Sequence, residues 1–369
     1  MKKAFKALAP LPLLGLAYLF LWPVPITPVA WVAPPAPGYV GVHAVNQKLA
    51  GLQLIDLHGE VGPEHIAFGP DGKLYTTVAS GNILRMNADG SAQEVFANTT
   101  GRVLGFAFDA QGNLIAADAV KGLLSISPDR KVTVLTDQVD GAPIRYADAV
   151  VVAKNGKMYF SDASTRFAPK DWGGTFEASI LDILEQSSTG RVLEFDPASK
   201  VTRIVARGLS FANGVALSQD EAHIFVNETG KYRVWKIAVA AQNVQVSADA
   251  PSTDAKVLFD NLPGYPNNLM RGRDGKLWLG FAKPRNSTID NFAGKPWLRS
   301  LTLRLPRAMW PIPKAYGHVM AFTDDGKIVA DLQDPTGIYP ETTSITETED
   351  RMYIQSLHAT ALGWLPNKP

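Results

Sequence analysis

One hairpin pattern occurs six times along this 369-residue chain, and it limits the possible folds more than any other feature. In each copy, a run of alternating apolar residues leads to a two-residue turn and then to a second β-rich run. Turns of Asn-Gly or Asp-Gly type between such runs are the strongest short-range signal for a β-hairpin. The six copies are His65–Ala79, Gly105–Ala117, Ala149–Ser161, Gly214–Val226, Leu269–Phe281 and Ser344–Ser356.

A second hairpin follows each of the first five copies, and two hairpins together make one four-stranded blade. The second hairpins are Asn82–Phe96, Leu123–Leu135, Arg191–Val205, Tyr232–Phe259 and Val319–Leu332. The sixth unit can be completed by the chain ends, with Leu52–Leu57 pairing near Ala361–Leu365. The pattern therefore predicts an all-β fold, a six-bladed β-propeller, in preference to a pair of β-sandwiches.

Two intervals are too long for a blade, which needs about 40–45 residues, and they indicate insertions. Thr165–Thr189 contains Ser179–Glu185, which we expect to be helical. Lys283–Tyr316 is apolar, aromatic and cationic, most clearly over residues 297–310. This second insertion is either a lid over a site, a segment in contact with a membrane, or an extra packing element on the rim.

The amino terminus is a separate, hydrophobic segment. Lys2, Lys3 and Lys6 precede an apolar run that is uninterrupted over Leu13–Trp22, and a proline-rich stretch then extends to Pro37. We predict a membrane anchor or a cleaved signal segment with a stiff spacer at residues 1–37, and the propeller at 38–369. Both alternatives place the propeller outside the cytosol, either membrane-anchored or else secreted or periplasmic.

Composition excludes several classes of function. The chain has no cysteine, which excludes disulfides, thiolate nucleophiles and cysteine-ligated zinc. Its 36 Lys and Arg residues balance 35 Asp and Glu residues, and no basic stripe with interleaved aromatics is present. We therefore expect no nucleic-acid partner.

Oxygen-bearing side chains recur where the innermost strands begin, which in a propeller is one level of the central channel. The six residues that stand at the same distance before each turn are Glu64, Leu104, Asp148, Asn213, Asn267 and Thr342. A register error of one residue would bring in Ala147, Asn268 and Thr343. Carboxylate and amide oxygens suit a hard cation such as Ca²⁺, whereas the alternative is a water-filled channel with polar caps.

Further titratable residues fall at the same face. The second strands deliver Asp118, Asp162, Glu228, Lys283 and His358 to the rim, where most such residues are expected to form salt bridges or caps. His65 directly follows Glu64, although it can also point into a blade. Asp148 and His65 are the candidate catalytic bases at this level.

Several short motifs in this order resemble the strictosidine synthase-like proteins. That family belongs to a wider group of calcium-dependent six-bladed propellers, which includes gluconolactonases, paraoxonases and the adipocyte plasma membrane-associated protein. The motifs are Gly62-Pro-Glu64, Arg102-Val-Leu-Gly105, Asp118-Ala-Val-Lys-Gly122, Tyr159-Phe-Ser-Asp162, Thr189-Gly-Arg191, Phe211-Ala-Asn-Gly214, Asn227-Glu-Thr229 and Leu262-Pro-Gly-Tyr-Pro266.

The resemblance implies a calcium site, and residue by residue the match is incomplete. Glu64, Asn213 and Asn268 match the family's ligands, whereas Asn267 stands where an aspartate is usual. The usual Asn-Asp pair of the third blade is Ala147-Asp148 here. Fewer anionic ligands should weaken Ca²⁺ binding.

Two functions of different class follow from these observations. The first is a Ca²⁺-dependent hydrolase of aryl esters or lactones, with the metal polarising the carbonyl. The second is a propeller that binds a ligand or partner without turnover, which the altered ligand set favours. A condensing lyase of the strictosidine synthase kind is disfavoured, because Thr342-Thr343-Ser344 stands where that enzyme's glutamate is expected, with Glu341 nearby.

Overall fold

The structure, a computed structural model, describes residues 10–250 and 252–367. Its main sheets are six antiparallel blades, each beginning with an innermost strand that contacts the innermost strand of a neighbouring blade. The six-bladed propeller predicted from the hairpin repeat is confirmed.

The first three blades follow one another along the chain. Blade 1 consists of Ile66–Phe68, Leu74–Thr77, Asn82–Met86 and Glu94–Asn98. Blade 2 consists of Val103–Phe108, Leu114–Asp118, Gly122–Ile126 and Val132–Thr136. Blade 3 consists of Ala147–Val152, Met158–Asp162, Gly190–Asp196 and Val201–Leu209, with Val244–Gln245 added in parallel at its edge. A small hairpin, Gln138–Val139 with Ala142–Pro143, precedes blade 3.

The last three blades include the closure of the ring. Blade 4 consists of Ala212–Leu217, His223–Glu228, Arg233–Ala238 and Ala255–Phe259. Blade 5 consists of Gly264–Arg271, Leu277–Pro284, Gly317–Phe322 and Ile328–Asp334. Blade 6 consists of Thr342–Glu347, Arg351–Ser356, Ala361–Pro366 and the early strand Gln53–Asp56. Gln53 pairs with Trp364 and Asp56 with Ala361, which confirms closure by the two chain ends.

Four α-helices and five short 3₁₀ turns complete the described part of the chain. The helices are α1 (Pro10–Leu21), α2 (Thr175–Glu185), α3 (Ser287–Phe292) and α4 (Pro296–Arg304). The 3₁₀ turns are Gly41–His43, Pro169–Asp171, Thr229–Lys231, Arg273–Gly275 and Arg307–Met309. The helix predicted at Ser179–Glu185 is α2, which begins one turn earlier.

The hydrophobic core is divided into layers between adjacent blades. One large aromatic from each of five layers is Phe106, Phe160, Trp235, Phe281 and Tyr353. Each layer joins residues from two neighbouring sheets, so a blade is stabilised from both sides and the ring forms one cooperative core.

The amino-terminal segment lies against the insertions. Within residues 10–250 and 252–367, no helix has the length and apolar character needed to cross a membrane. The predicted anchor or signal function stays a prediction, and Lys2, Lys3 and Lys6 lie outside the described residues. After α1, Ile26 is buried in a cluster with Leu104 and residues of α2. Part of the predicted spacer therefore packs on the propeller.

Candidate active site at the mouth of the channel

The innermost strands of blades 2 to 6 carry an irregularity near their start. In blade 3, pairing passes from Ala147 with Asp162 to Val150 with Phe160, so two residues of the inner strand stand opposite one of its neighbour. Bulges of this kind redirect side chains and are common beside active sites. The residues at the equivalent places are Leu104, Asp148, Asn213, Asn267 and Thr343.

The residues predicted at equivalent positions along the channel therefore occupy those positions in blades 2 to 5, whereas in blade 6 the position is taken by the next residue. Thr342 still pairs with Ser356, and its hydroxyl donates to the backbone oxygen of His318 at 2.9 Å. Its neighbour Thr343 takes the bulge position and donates to the backbone oxygen of Glu64 at 2.9 Å. Thr342 is thus a packing residue between strands.

A polar cavity of about 170 Å³ gathers four of the predicted residues at the channel mouth. Glu64, Asp148, Asn213 and Asn267 line it, and each is at most 8% exposed. Its wall also contains Arg102, Tyr146, Leu104, Phe176, Phe211 and His358. The structure thus brings together oxygen donors from four different blades.

The two carboxylates of this cavity are held in a buried, partly neutralised environment. Arg102 donates through Nη2 to Oε2 of Glu64 at 2.6 Å. Burial raises the pKa of Asp148 well above its ordinary value, the charge of Glu64 raises it further, and Arg102 offsets part of the effect. Asp148 therefore holds a proton more tightly than a solvated aspartate and is a better base when ionised.

The two amides of the cavity have unused acceptors. The Oδ1 atoms of Asn213 and Asn267 are buried and accept no hydrogen bond from the described residues. The inner strands that carry them pack closely against each other. A side chain at Gly214 would place its Cβ only 2.4 Å from the backbone nitrogen of Leu269 in blade 5, so the two backbones have little room to move. Two buried, unpaired oxygens beside two carboxylates are a donor set that suits a hard cation.

Two predicted site residues, His65 and Asn268, lie outside this cavity and line a separate channel cavity. Asn268 donates through Nδ2 to the backbone oxygen of Glu64 at 2.9 Å, so it holds the backbone of a cavity residue. The His65 ring packs on Phe106 with 4.7 Å between centroids, and burial lowers its pKa to about 4. The proposed base role of His65 and ligand role of Asn268 stay predictions.

The acidic residues at the ends of the second strands are caps, as most rim residues were expected to be. Asp162 accepts hydrogen bonds from the backbone nitrogens of Tyr146 at 2.8 Å and Arg145 at 3.2 Å. Asp118 accepts from the nitrogen of Arg102 at 3.1 Å, and Glu228 from that of Ser210 at 2.9 Å. Each cap fixes the loop that leads into a site strand.

The sequence interpretation placed His358 at the rim without identifying its partners. Its Nδ1 hydrogen-bonds Glu341, whose other oxygen lies 2.5 Å from Nζ of Lys283. The hydrogen bond to Glu341 raises the pKa of His358. These contacts join residues of blades 5 and 6, and the only sequence signal for them was that Lys283 and His358 end equivalent strands.

An apolar cavity of about 150 Å³ adjoins the polar one. The two share Phe176, Phe211, Asn213 and Asn267. Both insertions contribute walls to the apolar cavity, namely Ile180, Ile183 and Leu184 from α2, and Ile289, Trp310, Pro311 and Ile312 from the second insertion. Of the three alternatives for residues 283–316, a cover over the site has direct geometric support.

Comparisons with known proteins agree with the motifs. Residues 41–86 match the family described as strictosidine synthase-like, N-terminal, and residues 148–242 match strictosidine synthase. Strictosidine synthase-like protein 7 of Arabidopsis thaliana is 36% identical over 307 residues, which cover 79% of this chain and 75% of the relative. The human adipocyte plasma membrane-associated protein is 27% identical over 373 residues, with 94% and 85% covered.

Solved structures share the fold. A gluconolactonase from Xanthomonas campestris superimposes with a TM-score of 0.60, covering 92% of this chain and 99% of that chain. The sequence identity is 18%, so this similarity concerns the architecture alone.

Proposed function

The chain belongs to the strictosidine synthase-like family, and on that premise we propose that it is a Ca²⁺-dependent hydrolase of aryl esters or lactones. The observation that carries the proposal is the direct junction of a polar, oxygen-lined cavity with an apolar one through Asn213 and Asn267. An ester with an aromatic or aliphatic part needs both, because its carbonyl requires polar groups and its remainder requires apolar walls.

The residues at the channel mouth fit a calcium ion. Glu64 and Asp148 supply carboxylate oxygens, and the unpaired Oδ1 atoms of Asn213 and Asn267 supply neutral ones. These four residues would hold the cation, and water would complete the six to eight ligands that Ca²⁺ takes. When bound there, the cation supplies Lewis-acid polarisation of a carbonyl and stabilises the developing negative charge.

The remaining chemistry is assigned to two titratable side chains. Asp148, whose carboxylate lines the polar cavity, accepts a proton from the attacking water. His358 is oriented by Glu341, and its raised pKa favours the protonated ring, which can donate to the leaving oxygen. Phe176 and Phe211 form the shared wall that excludes water from the apolar part of the substrate.

The test uses the full chain with an aryl ester and an aliphatic lactone, with Ca²⁺ and after chelation. We expect hydrolysis that disappears on chelation and returns with Ca²⁺. Glu64→Gln should lower kcat/KM by about 10²–10³-fold, as the loss of one electrostatic contact does in other enzymes. The proposal fails if chelation changes nothing in a protein whose thermal melting shows it to be folded.

A matched pair of variants at one position separates metal binding from folding. Asn267→Asp adds an anionic oxygen, so it should reduce the Ca²⁺ concentration needed for half-maximal activity. Asn267→Ala removes a ligand and should raise that concentration. Equal calcium dependence in both variants would contradict the assignment of Asn267.

A second candidate function is ligand binding without turnover. The observation that favours it is the ion pair between Arg102 and Glu64, because a guanidinium already neutralises one of the two carboxylates. Saturable binding of esters or lactones, with no product in either calcium condition, would support this function instead.

We also propose that the protein is membrane-associated on the non-cytoplasmic side, through its amino-terminal segment. The similarity to the adipocyte plasma membrane-associated protein over 94% of this chain is consistent with it. Residues 297–310 are a second contact candidate, since Trp297 is 57% and Met309 63% exposed. This stretch lies beside α1, because Arg304 donates to the backbone oxygens of Leu19 in the helix at 3.2 Å and of Trp22 just after it at 2.7 Å. Recovery of the full chain in the membrane fraction tests the proposal.

A further inference from the structure

Three side chains of metal-ligating types converge outside the two cavities of the channel mouth, between the amino-terminal segment and blade 5. Nδ1 of His43 lies 2.7 Å from Oδ2 of Asp331, and Nε2 of His318 lies 2.9 Å from the same oxygen. His43 ends a 3₁₀ turn, whereas His318 and Asp331 lie on the two outer strands of blade 5. All three residues are buried, at 8%, 1% and 7% exposure.

The arrangement has the dimensions of a metal site. One ligand atom from each of the three residues lies within 4.8 Å of the other two. Ligands at about 2.0–2.1 Å from a tetrahedral zinc ion are themselves about 3.3 Å apart, so small movements of these side chains would admit the ion. A ligand set of two imidazole nitrogens and one carboxylate oxygen suits a divalent transition metal. It differs from the set at the channel mouth, where all the candidate ligand atoms are oxygens.

A second layer of hydrogen bonds orients the carboxylate. Gln333 donates through Nε2 to Oδ1 of Asp331 at 2.5 Å, and the Tyr316 hydroxyl donates to Oε1 of Gln333 at 2.7 Å. Oδ2 is thereby left for the two imidazoles. Outer partners of this kind are typical of metal-binding carboxylates and histidines, and their loss lowers metal affinity.

Hydrogen bonding within the cluster leaves buried polar atoms unpaired. Nδ1 of His318 and the hydroxyl of Tyr39 are buried and have no hydrogen-bond partner among the described residues. The centroids of the Tyr39 and His318 rings lie 5.5 Å apart, and Phe281 stacks on His318 with 4.4 Å between ring centroids. Unpaired buried groups are costly, and His318 has one such atom in addition to the nitrogen that faces Asp331.

We propose that His43, His318 and Asp331 bind a divalent transition-metal ion of the zinc class. The ion would tie the amino-terminal segment to the outer edge of blade 5. The same junction already contains the hydrogen bond from the nitrogen of Leu49 to the oxygen of Gln333 at 3.0 Å. The proposed role is structural, and it is independent of the hydrolase proposal because the residues line neither cavity at the channel mouth.

The test measures Zn²⁺ binding to the full chain after removal of metals with a chelator and dialysis. We expect one Zn²⁺ per chain that excess Ca²⁺ does not displace, measured by calorimetry and elemental analysis. His43→Gln should weaken binding by about 10–100-fold or more, and Zn²⁺ should raise the melting temperature of the wild type but not of this variant.

The matched control is His58→Gln. His58 also lies near an aspartate, with Nδ1 3.7 Å from Oδ2 of Asp56, but its side chain is 72% exposed. This variant should bind Zn²⁺ like the wild type.

Asp331→Asn and His318→Gln should show the same loss of Zn²⁺ affinity if they fold. If they do not fold, His43→Gln still tests the proposal, because it changes only the amino-terminal segment. Equal Zn²⁺ affinity in the wild type and His43→Gln would overturn the proposal.

Discussion

At the scale of single residues, Asp162 shows how the propeller positions a site side chain. Its carboxylate accepts hydrogen bonds from the backbone nitrogens of Arg145 and Tyr146, which precede Asp148, and from Nε of Arg191 at 2.8 Å. Asp162 is fully buried and Arg191 nearly so. The loop that leads into the strand of Asp148 is therefore held by a buried ion pair.

Asp162→Asn should consequently destabilise the protein by about 3–5 kcal/mol, because it leaves the Arg191 charge buried without an opposite charge. The control is Asp171→Asn, since Asp171 pairs with Arg145 at 2.5 Å but is 43% exposed. Exposed pairs contribute about 0–1 kcal/mol, so this variant should unfold like the wild type. Denaturant unfolding measures both, and similar losses in the two variants would show that burial of the pair is unimportant.

Residues within one hairpin could be predicted from the sequence, whereas contacts between blades could not. Glu64, Asp148, Asn213 and Asn267 meet because each stands at the same distance from its own turn, which is local information. Thr342 was wrong by one residue, because the turn of blade 6 joins its paired strands through four residues, whereas the turns of blades 2, 3 and 5 have five. The pair of Arg102 with Glu64 spans 38 residues and joins two blades, so no pattern within one hairpin indicates it.

At the scale of elements, α2 carries a carboxylate that opposes folding at neutral pH. Asp182 is fully buried between the helix and the propeller, and neither oxygen accepts a well-formed hydrogen bond from the described residues. Burial raises its pKa from 3.8 to about 7, and the nearby Ser164 hydroxyl offsets only part of that rise. The native state therefore binds this proton more tightly than the unfolded state does.

This difference predicts how stability depends on pH. The contribution of Asp182 to the free energy of unfolding should fall as the pH rises from 3.8 to about 7 and stay constant above that. Asp182→Asn should match the wild type near pH 4 and be more stable at pH 8, by up to about 4 kcal/mol. On the same helix, Glu177 has a side chain that is 38% exposed and pairs with Arg307, so Glu177→Gln should show no such pH-dependent gain. Thermal melting at both pH values tests this, and an equal gain at pH 4 would contradict the assignment.

The insertions show what local patterns can and cannot predict about elements. The helical part of Thr165–Thr189 was predictable because apolar residues recur there at helical spacing. Its function as a wall of the apolar cavity was not, because that depends on how α2 and the second insertion meet above the channel. The composition of residues 283–316 is compatible with a lid, a membrane contact or a packing element, because each of these roles needs exposed or half-buried apolar surface.

At the scale of the whole molecule, ring closure followed from the sequence, but the path of the proline-rich segment did not. Prolines among apolar residues predict an extended spacer, because proline fixes φ and removes a hydrogen-bond donor. In the structure, some of the remaining donors of this segment bond to the insertions. The nitrogen of Val29 donates to the oxygen of Glu185 at 2.8 Å, and that of Thr27 to the Glu185 carboxylate at 2.8 Å.

Arg299 makes this segment part of the fold. Its side chain is 2% exposed, burial lowers its pKa to about 10, and it donates to the backbone oxygens of Val29 and Leu184. A buried guanidinium that loses an acceptor is destabilising, because its charge has few other partners.

Removal of residues 1–37 should therefore expose Arg299 and the cluster around Ile26, and lower the melting temperature. Removal of residues 1–21 leaves these contacts intact and should not. Equal melting temperatures for the two truncated proteins would place the structural boundary at residue 38, as the sequence alone predicts. A lower value for the longer deletion would mean that the stable unit begins near residue 22, with residues 22–37 serving as a strap across both insertions that cover the candidate active site.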